Sequence, residues 1–273
     1  MILAPFSDVH ANKHALDAVL EDIRRRNPDR VIYLGDLVGY GAFPNEVIET
    51  AKLAGIPTLA GNYDDGVGFD REECGCAYTD AGDKERGDRS LRWTQRVVTP
   101  ENKAWLRALP RELRFDIAGR RVLCVHGSPR RMNEYLYEDR PERSLLRMFE
   151  STGADVILCG HTHLPYHRRV GAIHLINVGT AGKLKDGDTR ADYALVELGD
   201  EVRASFPRVE YDVEAAARAV EPTLSPASSD GLFQARAMKP ATASETMTSH
   251  RPTLPTTKRR KAAMKATMGL AVG

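Results

Sequence analysis

A mixed α/β fold, a four-layer αββα sandwich of two mixed β-sheets flanked by helices, is what this chain predicts, on three observations. Over about the first sixty residues, short apolar runs of strand type alternate with segments of helical spacing, the order of a parallel βαβαβ unit. Later apolar runs follow one another closely, as antiparallel strands do, so a second sheet is needed. Five of the apolar runs stop abruptly on a side chain that can bind a metal, namely Asp8, Asp36, Asn62, His126 and His161, and open sheets place their ligands at strand ends.

The elements follow in order. Ile2-Leu3-Ala4-Pro5-Phe6 is the first strand and runs into Asp8. Leu16, Val19, Leu20 and Ile23 recur at helical spacing within 12–26, and the segment ends in a basic turn that suits a helix C-terminus. Val31-Ile32-Tyr33-Leu34 leads to Asp36. Residues 46–53, after Pro44-Asn45, read as a helix returning to a third strand, Ile56-Pro57-Thr58-Leu59-Ala60, before Asn62. Periodicity then disappears into Gly, Asp and Glu, and 65–90 reads as a flap-like insertion near the site. Helical patterns at 91–98 and 104–109 precede two strands, 112–117 and 121–125, joined by the hairpin-like turn Ala118-Gly119-Arg120. A helix at 143–149 leads to Val156-Ile157-Leu158-Cys159 and His161. Strands near Tyr166, Ile173, Tyr193 and Val202 read as one antiparallel meander. From 222 onward Pro, Ser, Thr, Ala and Lys dominate, a composition that buries too little surface to offset its ordering entropy. The expected organisation is a single domain over 1–221 and a disordered tail over 222–273.

The chain has 273 residues, enough for one large sandwich domain. Its 39 basic and 38 acidic side chains nearly cancel, so no global field draws it to nucleic acid or an anionic membrane, and no stable nucleic-acid partner is predicted. The basic run Lys258-Arg259-Arg260-Lys261 in the tail is read as solubilising. No apolar run approaches the roughly 18 residues of a membrane span. The first strand begins at Ile2, which leaves no room for a signal peptide. Four cysteines in this length make no disulfide framework, and Cys124 and Cys159 lie within apolar runs, so a reducing cytoplasm is the expected location.

His10 lies two residues beyond Asp8 and His163 two beyond His161, a spacing that in extended chain points both side chains the same way. Aspartates at strand ends are also common turn formers, and histidines often serve as interior polar groups. Seven such residues in register favour a ligand set. His14, His167 and His174 lack such company and are read as structural, and Trp93 and Trp105 as core or interface anchors. Cys74-Gly75-Cys76 lacks the usual zinc-binding C-x-x-C spacing. Arg130 and Arg131 border the expected site, either to grip a second phosphate or as solvated surface charges.

Ser7-Asp8-Val9-His10-Ala11-Asn12, Gly35-Asp36-Leu37-Val38-Gly39-Tyr40-Gly41, Gly61-Asn62-Tyr63-Asp64, Val125-His126-Gly127-Ser128-Pro129 and Gly160-His161-Thr162-His163 resemble, in order and spacing, the motifs of the calcineurin-like metallophosphoesterases over about 1–210. Asn177-Val178-Gly179-Thr180-Ala181-Gly182 is similar to the segment closing the bacterial phosphodiesterase-like branch. The resemblance implies two divalent metal ions, Mn, Fe, Zn, Co or Ni. Asp8, His10, Asp36 and His163 would hold one, and Asp36, Asn62, His126 and His161 the other, with Asp36 bridging. It implies hydrolysis of a phosphodiester or phosphomonoester by metal-activated water, phosphodiesterase favoured, with Asp36, Asn62, Tyr63, Asp64 and His126 as catalytic residues. Where the family pattern has His after the Asn, this chain has Tyr63, a hydrogen-bond donor that supplies no positive charge near neutral pH; Asp64 is expected to accept from its hydroxyl or to cap a loop. The alternatives are a phosphoprotein phosphatase, a dinucleoside polyphosphate hydrolase, or a non-catalytic scaffold of the same fold. A nucleotide or phosphoprotein substrate and a homo-oligomer are compatible with the sequence.

Overall fold

Strand β1 (Ile2–Phe6) pairs in parallel with β2 (Arg30–Tyr33) around helix α1 (Lys13–Arg26), so the chain opens as the βα repeat predicts. The Asn12 side chain caps α1 by accepting from the Ala15 N–H at 3.1 Å, and Asn27 closes it in the left-handed region. The structure is a computed structural model that describes residues 1–78 and 80–220. The tail over 222–273 therefore lies outside the described residues.

Helix α2 (Pro44–Leu53) follows, with Pro44 at its first turn. The expected third strand is absent: 56–60 makes a single parallel bridge, Tyr33 to Thr58. Pro57 has no N–H to donate, and the segment follows β2 with only two backbone bonds to Tyr33, from Leu59 N and to Tyr33 N. The stretch read as aperiodic carries two helices, α3 (Asn62–Gly68) and α4 (Ala81–Val97), leaving only the connection between them irregular. Glycines hid α3: Gly66 packs on Leu91 and Gly68 on Leu106, where a side chain would crowd the neighbouring helix. Charge hid α4, whose outer face is laced by the pairs Lys84–Asp88 and Arg89–Glu85 and whose buried face holds only Gly87, Ser90, Leu91 and Thr94.

After α5 (Pro100–Ala108), the hairpin of β3 (Glu112–Ile117) and β4 (Arg120–Val125) forms as expected. Then come α6 (Glu142–Phe149), β5 (Val156–Cys159), β6 (Tyr166–Val170) and β7 (Ile173–Asn177), and the second sheet has the order β3-β4-β5-β7-β6. The expected four-strand meander is instead two hairpins in different sheets. The pair β6–β7 stays in the second sheet, whereas β9 (Leu195–Leu198) and β10 (Val202–Ser205) join the first, in the order β10-β9-β1-β2. Between them the chain crosses through β8 (Ala191–Asp192), which pairs with β11 (Arg208–Val209), and helix α7 (Val213–Val220) ends the described part.

Period-two alternation builds the layers. Leu3, Ile32, Val122, Cys124, Leu158 and Val196 face one another between the two sheets. Phe6 and Tyr33, on the other face of the first sheet, pack with Leu16 and Val19 of α1 and Val47 of α2. Leu123 and Ile157, on the outer face of the second, pack with Leu145, Met148 and Phe149 of α6. The result is helices, sheet, sheet, helix, and the parallel strands β1, β2, β4 and β5 all deliver their C-terminal ends to one edge.

Candidate metal centre

All seven residues singled out by sequence meet at that edge and are buried, none more than 4% exposed. Asp8 and His10 follow β1, Asp36 follows β2, His126 follows β4, and His161 and His163 follow β5, while Asn62 is the first residue of α3. The turns are tied together by their backbones: Asp8 N donates to Gly35 O, His10 N to Asp36 O, and Gly160 N to His126 O, at 2.8–3.0 Å. The segment after β7 is part of the same weave, with Thr180 Oγ1 donating to Asp8 O at 2.8 Å and Gly182 N at 3.0 Å.

Five of the seven, Asp8, His10, Asp36, His161 and His163, have φ between 50° and 66°, in the left-handed region. A residue with a Cβ held there costs about 1 kcal/mol or more, and such strain is stored where function needs it. Close approach of these turns also explains Gly61, since a Cβ there would overlap the Asp36 carboxylate.

The side chains divide into two groups, Asp8 with His10 and His163, and Asp36 with His126 and His161, each with candidate ligand atoms within 4.8 Å of one another. Asp36 Oδ2 sits between them, 3.7 Å from His10 Nε2 and 3.4 Å from His126 Nε2. Asn62 Oδ1 reaches His126 Nε2 at 3.1 Å. Three imidazoles have their Nδ1 on a backbone carbonyl, His10 on Val38 O at 3.1 Å, His126 on Leu34 O at 2.8 Å, and His163 on Lys183 O. A carbonyl only accepts, so in each the Nδ1 carries a proton and Nε2 is the atom turned into the centre.

Divalent cations fit this donor set. Asp8 Oδ1 and His161 Nε2 are buried without a hydrogen-bond partner among the described residues, and the Nε2 atoms of His10 and His163 face each other at 3.3 Å. Bare lone pairs converging in a dry site are costly unless a cation takes them. Burial pushes His10 and His161 down to about 3, so both are neutral. Burial opposes the charge on His126 as well, but Asp36 and Asp8 draw it up to about 10, so a cation arriving there displaces a proton.

Of the two roles expected for Asp64, its contacts match the loop-capping one. Its carboxylate accepts from four backbone N–H groups, Asp36 at 2.7 Å, Gly61 at 2.8 Å, Leu37 at 2.9 Å and Val38 at 3.4 Å, and its oxygens do not meet the Tyr63 hydroxyl. Burial pushes its pKa up to about 8, yet both oxygens face N–H donors, an arrangement that suits the carboxylate. Asp64 thus holds the Asp36 turn, the loop-capping alternative. Tyr63 supports the same residue from its backbone, N–H to Asp36 Oδ1 at 2.8 Å, while its hydroxyl meets that of Tyr78 at 3.3 Å.

A cavity of about 400 Å³ opens over the two groups, its walls formed by Tyr40, Tyr63, Tyr78, Tyr135, Lys183 and Lys185. Tyr135 lies against His161 with ring centroids 4.0 Å apart, and Tyr40 and Tyr63 stand edge-on to His10 at 4.9 and 5.4 Å. Lys183 Nζ lies 4.0 Å from the Tyr40 ring centre. Sequence reasoning did not single out Tyr40, Tyr135, Lys183 or Lys185. Tyr40 lay within a quoted motif and Lys183 directly after another, but neither motif says which neighbours turn inward. Arg130 and Arg131 line a separate cavity beyond Asn62, and Arg130 is paired with Glu134. His14 meets Phe43 edge-on, His167 and His174 bond each other at 2.9 Å, and Trp105 packs on the helix-side core.

Residues 1–201 match the family model of the calcineurin-like phosphoesterase superfamily domain. The chain is 32% identical over 232 residues to an uncharacterized protein of Methanocaldococcus jannaschii, covering 79% of this chain and 90% of that one. Among solved structures, a metallophosphoesterase from Sphaerobacter thermophilus is 31% identical with a TM-score of 0.65, covering 82% of this chain and 94% of its own. A hypothetical protein from Pyrococcus horikoshii shares the fold at 22% identity, with a TM-score of 0.71 and coverage of 81% and 92%.

Proposed function

Because this chain belongs to the calcineurin-like phosphoesterase superfamily and is a metal-dependent phosphoric ester hydrolase, we propose that it is a dinuclear enzyme that hydrolyses phosphodiesters. The observation that carries the dinuclear reading is Asp36 Oδ2, placed between two groups of buried, converging ligand atoms. Asp8, His10, Asp36 and His163 would hold one cation, and Asp36, Asn62, His126 and His161 the other. When bound, two such cations supply Lewis acidity toward the phosphoryl oxygens and a water nucleophile available at neutral pH.

The chain's own residues do the rest. Backbone-anchored imidazoles keep the ligand atoms in place without reorganisation, and the tyrosine walls restrict water and give the leaving group a flat surface. Lys183 and Lys185 offer cationic donors to the substrate's non-bridging oxygens. No described imidazole occupies the position after Asn62, and Tyr63 gives its hydroxyl to a tyrosine cluster. A diester with a leaving group that needs little protonation suits that arrangement. The aromatic walls and paired lysines also suit a substrate that carries an aromatic ring and more than one phosphate, which keeps the dinucleoside polyphosphate alternative open.

The test is hydrolysis of bis(p-nitrophenyl) phosphate beside p-nitrophenyl phosphate at equal concentration. The diester should turn over about tenfold faster or more; a monoester preference would make the protein a phosphatase.

Lys183 supplies a pH signature. Burial first, and then Lys185, push its pKa down to about 8, so its positive charge is present below that pH and lost above it. The value of kcat/KM for an anionic diester should therefore fall as pH rises through about 8. Lys183→Gln should be low throughout without that limb, and Lys183→Arg should carry activity past pH 9. A wild-type profile flat from 7 to 9 would remove Lys183 from substrate binding.

A further inference from the structure

We propose that Cys74 and Cys76 are an oxidative modification site, closing to a reversible disulfide that loosens Asn62 and so turns the metal centre down. The inference rests on Asn62 being a ligand. The two sulfurs lie 3.0 Å apart, closer than two non-bonded sulfurs ordinarily approach, although they belong to residues separated only by Gly75. Gly75 makes this approach possible: its φ of 69° is left-handed, a Cβ there would run into the Asn133 side chain, and Asn133 Nδ2 pins its carbonyl at 3.0 Å. Both thiols are half-buried, and Cys76 lines the cavity over the centre, so a small oxidant reaches it by the substrate's route. Cys124 and Cys159, by contrast, are sealed in strands.

The same pair orients a ligand. Asn62 Nδ2 donates to Cys76 Sγ at 3.2 Å and to Cys74 O at 3.1 Å, which leaves Oδ1 facing His126. A disulfide requires sulfurs about 2.05 Å apart, so closing the bond draws them together by about 1 Å and bends the turn that carries both of Asn62's acceptors. The sulfur that remains is a poorer acceptor, and the amide is no longer held with its oxygen inward.

Hydrogen peroxide balances the step. One thiol attacks peroxide, its O–O bond breaks, an S–O bond forms and one water leaves with the thiol proton. The second thiol then attacks that sulfenic sulfur, the S–S bond forms, the S–O bond breaks and a second water leaves. Two thiols are oxidised by two electrons, and one peroxide is reduced to two waters.

Full-length protein loaded with zinc, which has no redox chemistry of its own, is treated with peroxide and then with dithiothreitol. The expected result is a mass loss of about 2 Da, a peptide map joining Cys74 to Cys76, and zinc lost to a competing chelator about tenfold more readily, all restored by dithiothreitol. Diester hydrolysis should fall and recover in parallel. Cys74→Ser keeps Cys76 and the backbone carbonyl under Asn62, so it should retain basal turnover and lose both the mass change and the reversible loss of zinc. Two free thiols at 74 and 76 after peroxide, or a disulfide that leaves zinc retention unchanged, would overturn the proposal. Mass and zinc retention do not depend on turnover, so a chain that hydrolyses no diester would refute the enzymatic reading and still decide this one.

Discussion

Asp36→Asn abolishes hydrolysis, lowering turnover on the order of a thousandfold, about 4 kcal/mol of barrier, while the chain stays folded. Asp36 lies between the two candidate ligand groups, with Oδ2 3.7 Å from His10 Nε2 and 3.4 Å from His126 Nε2 and Oδ1 accepting from Tyr63 N. An Asn side chain keeps an oxygen for Tyr63, so the fold keeps its hydrogen bond. Its NH₂ group must then face the imidazole Nε2 atoms, where it offers neither negative charge nor a free electron pair to a shared cation. Metal content per chain together with kcat checks this: the variant should bind less than its full complement of metal and melt within a few degrees of the parent. A variant with full metal and normal turnover would show that Asp36 bridges nothing.

Asp64→Asn should be the most destabilising single-atom exchange in the site. Two N–H groups face each Asp64 oxygen, so whichever oxygen becomes NH₂ meets two donors with a donor. Leaving two buried N–H groups unsatisfied costs about 1–3 kcal/mol each, so a loss of about 3–5 kcal/mol is expected, or roughly 10 °C in Tm for a domain of this size. Turnover should fall with it, because those donors belong to the residues that carry Asp36 and to the residue before Asn62. Thermal melts of the purified variant check this, and a Tm unchanged within a degree would mean that the four bonds are not made.

The candidate ligand set was legible because its chemistry repeats a local pattern: an apolar run, then Asp8, Asp36, His126 or His161, with His10 and His163 each two residues on. Period-two alternation likewise carried the two-sheet core. What sequence obscured had physical causes. Pro57 removed a ladder donor, so an apolar run became a single bridge. Gly66 and Gly68 mark close helix packing, yet they read as loop, and the charge-laced α4 buries too few apolar groups to show a period. The sheet assignment of the strands after Ile173 depended on the crossing at 178–194, which no local spacing encodes. Sequence left two roles open for Asp64 because its four partners lie in two stretches of backbone, 36–38 and Gly61, that only the fold brings together. The cavity walls were missed for the same reason, since Tyr135 and Lys183 become neighbours of the centre only after the sheets have packed.

The most direct test of the metal-dependent diesterase is hydrolysis of bis(p-nitrophenyl) phosphate by metal-stripped protein, with manganese, zinc, iron, cobalt or nickel titrated back and Asp36→Asn beside it. The expected result is no turnover without metal, activity that saturates at two equivalents per chain, and none from the variant. Saturation at one equivalent would contradict the shared role of Asp36, and no turnover at two bound equivalents would contradict the diesterase itself.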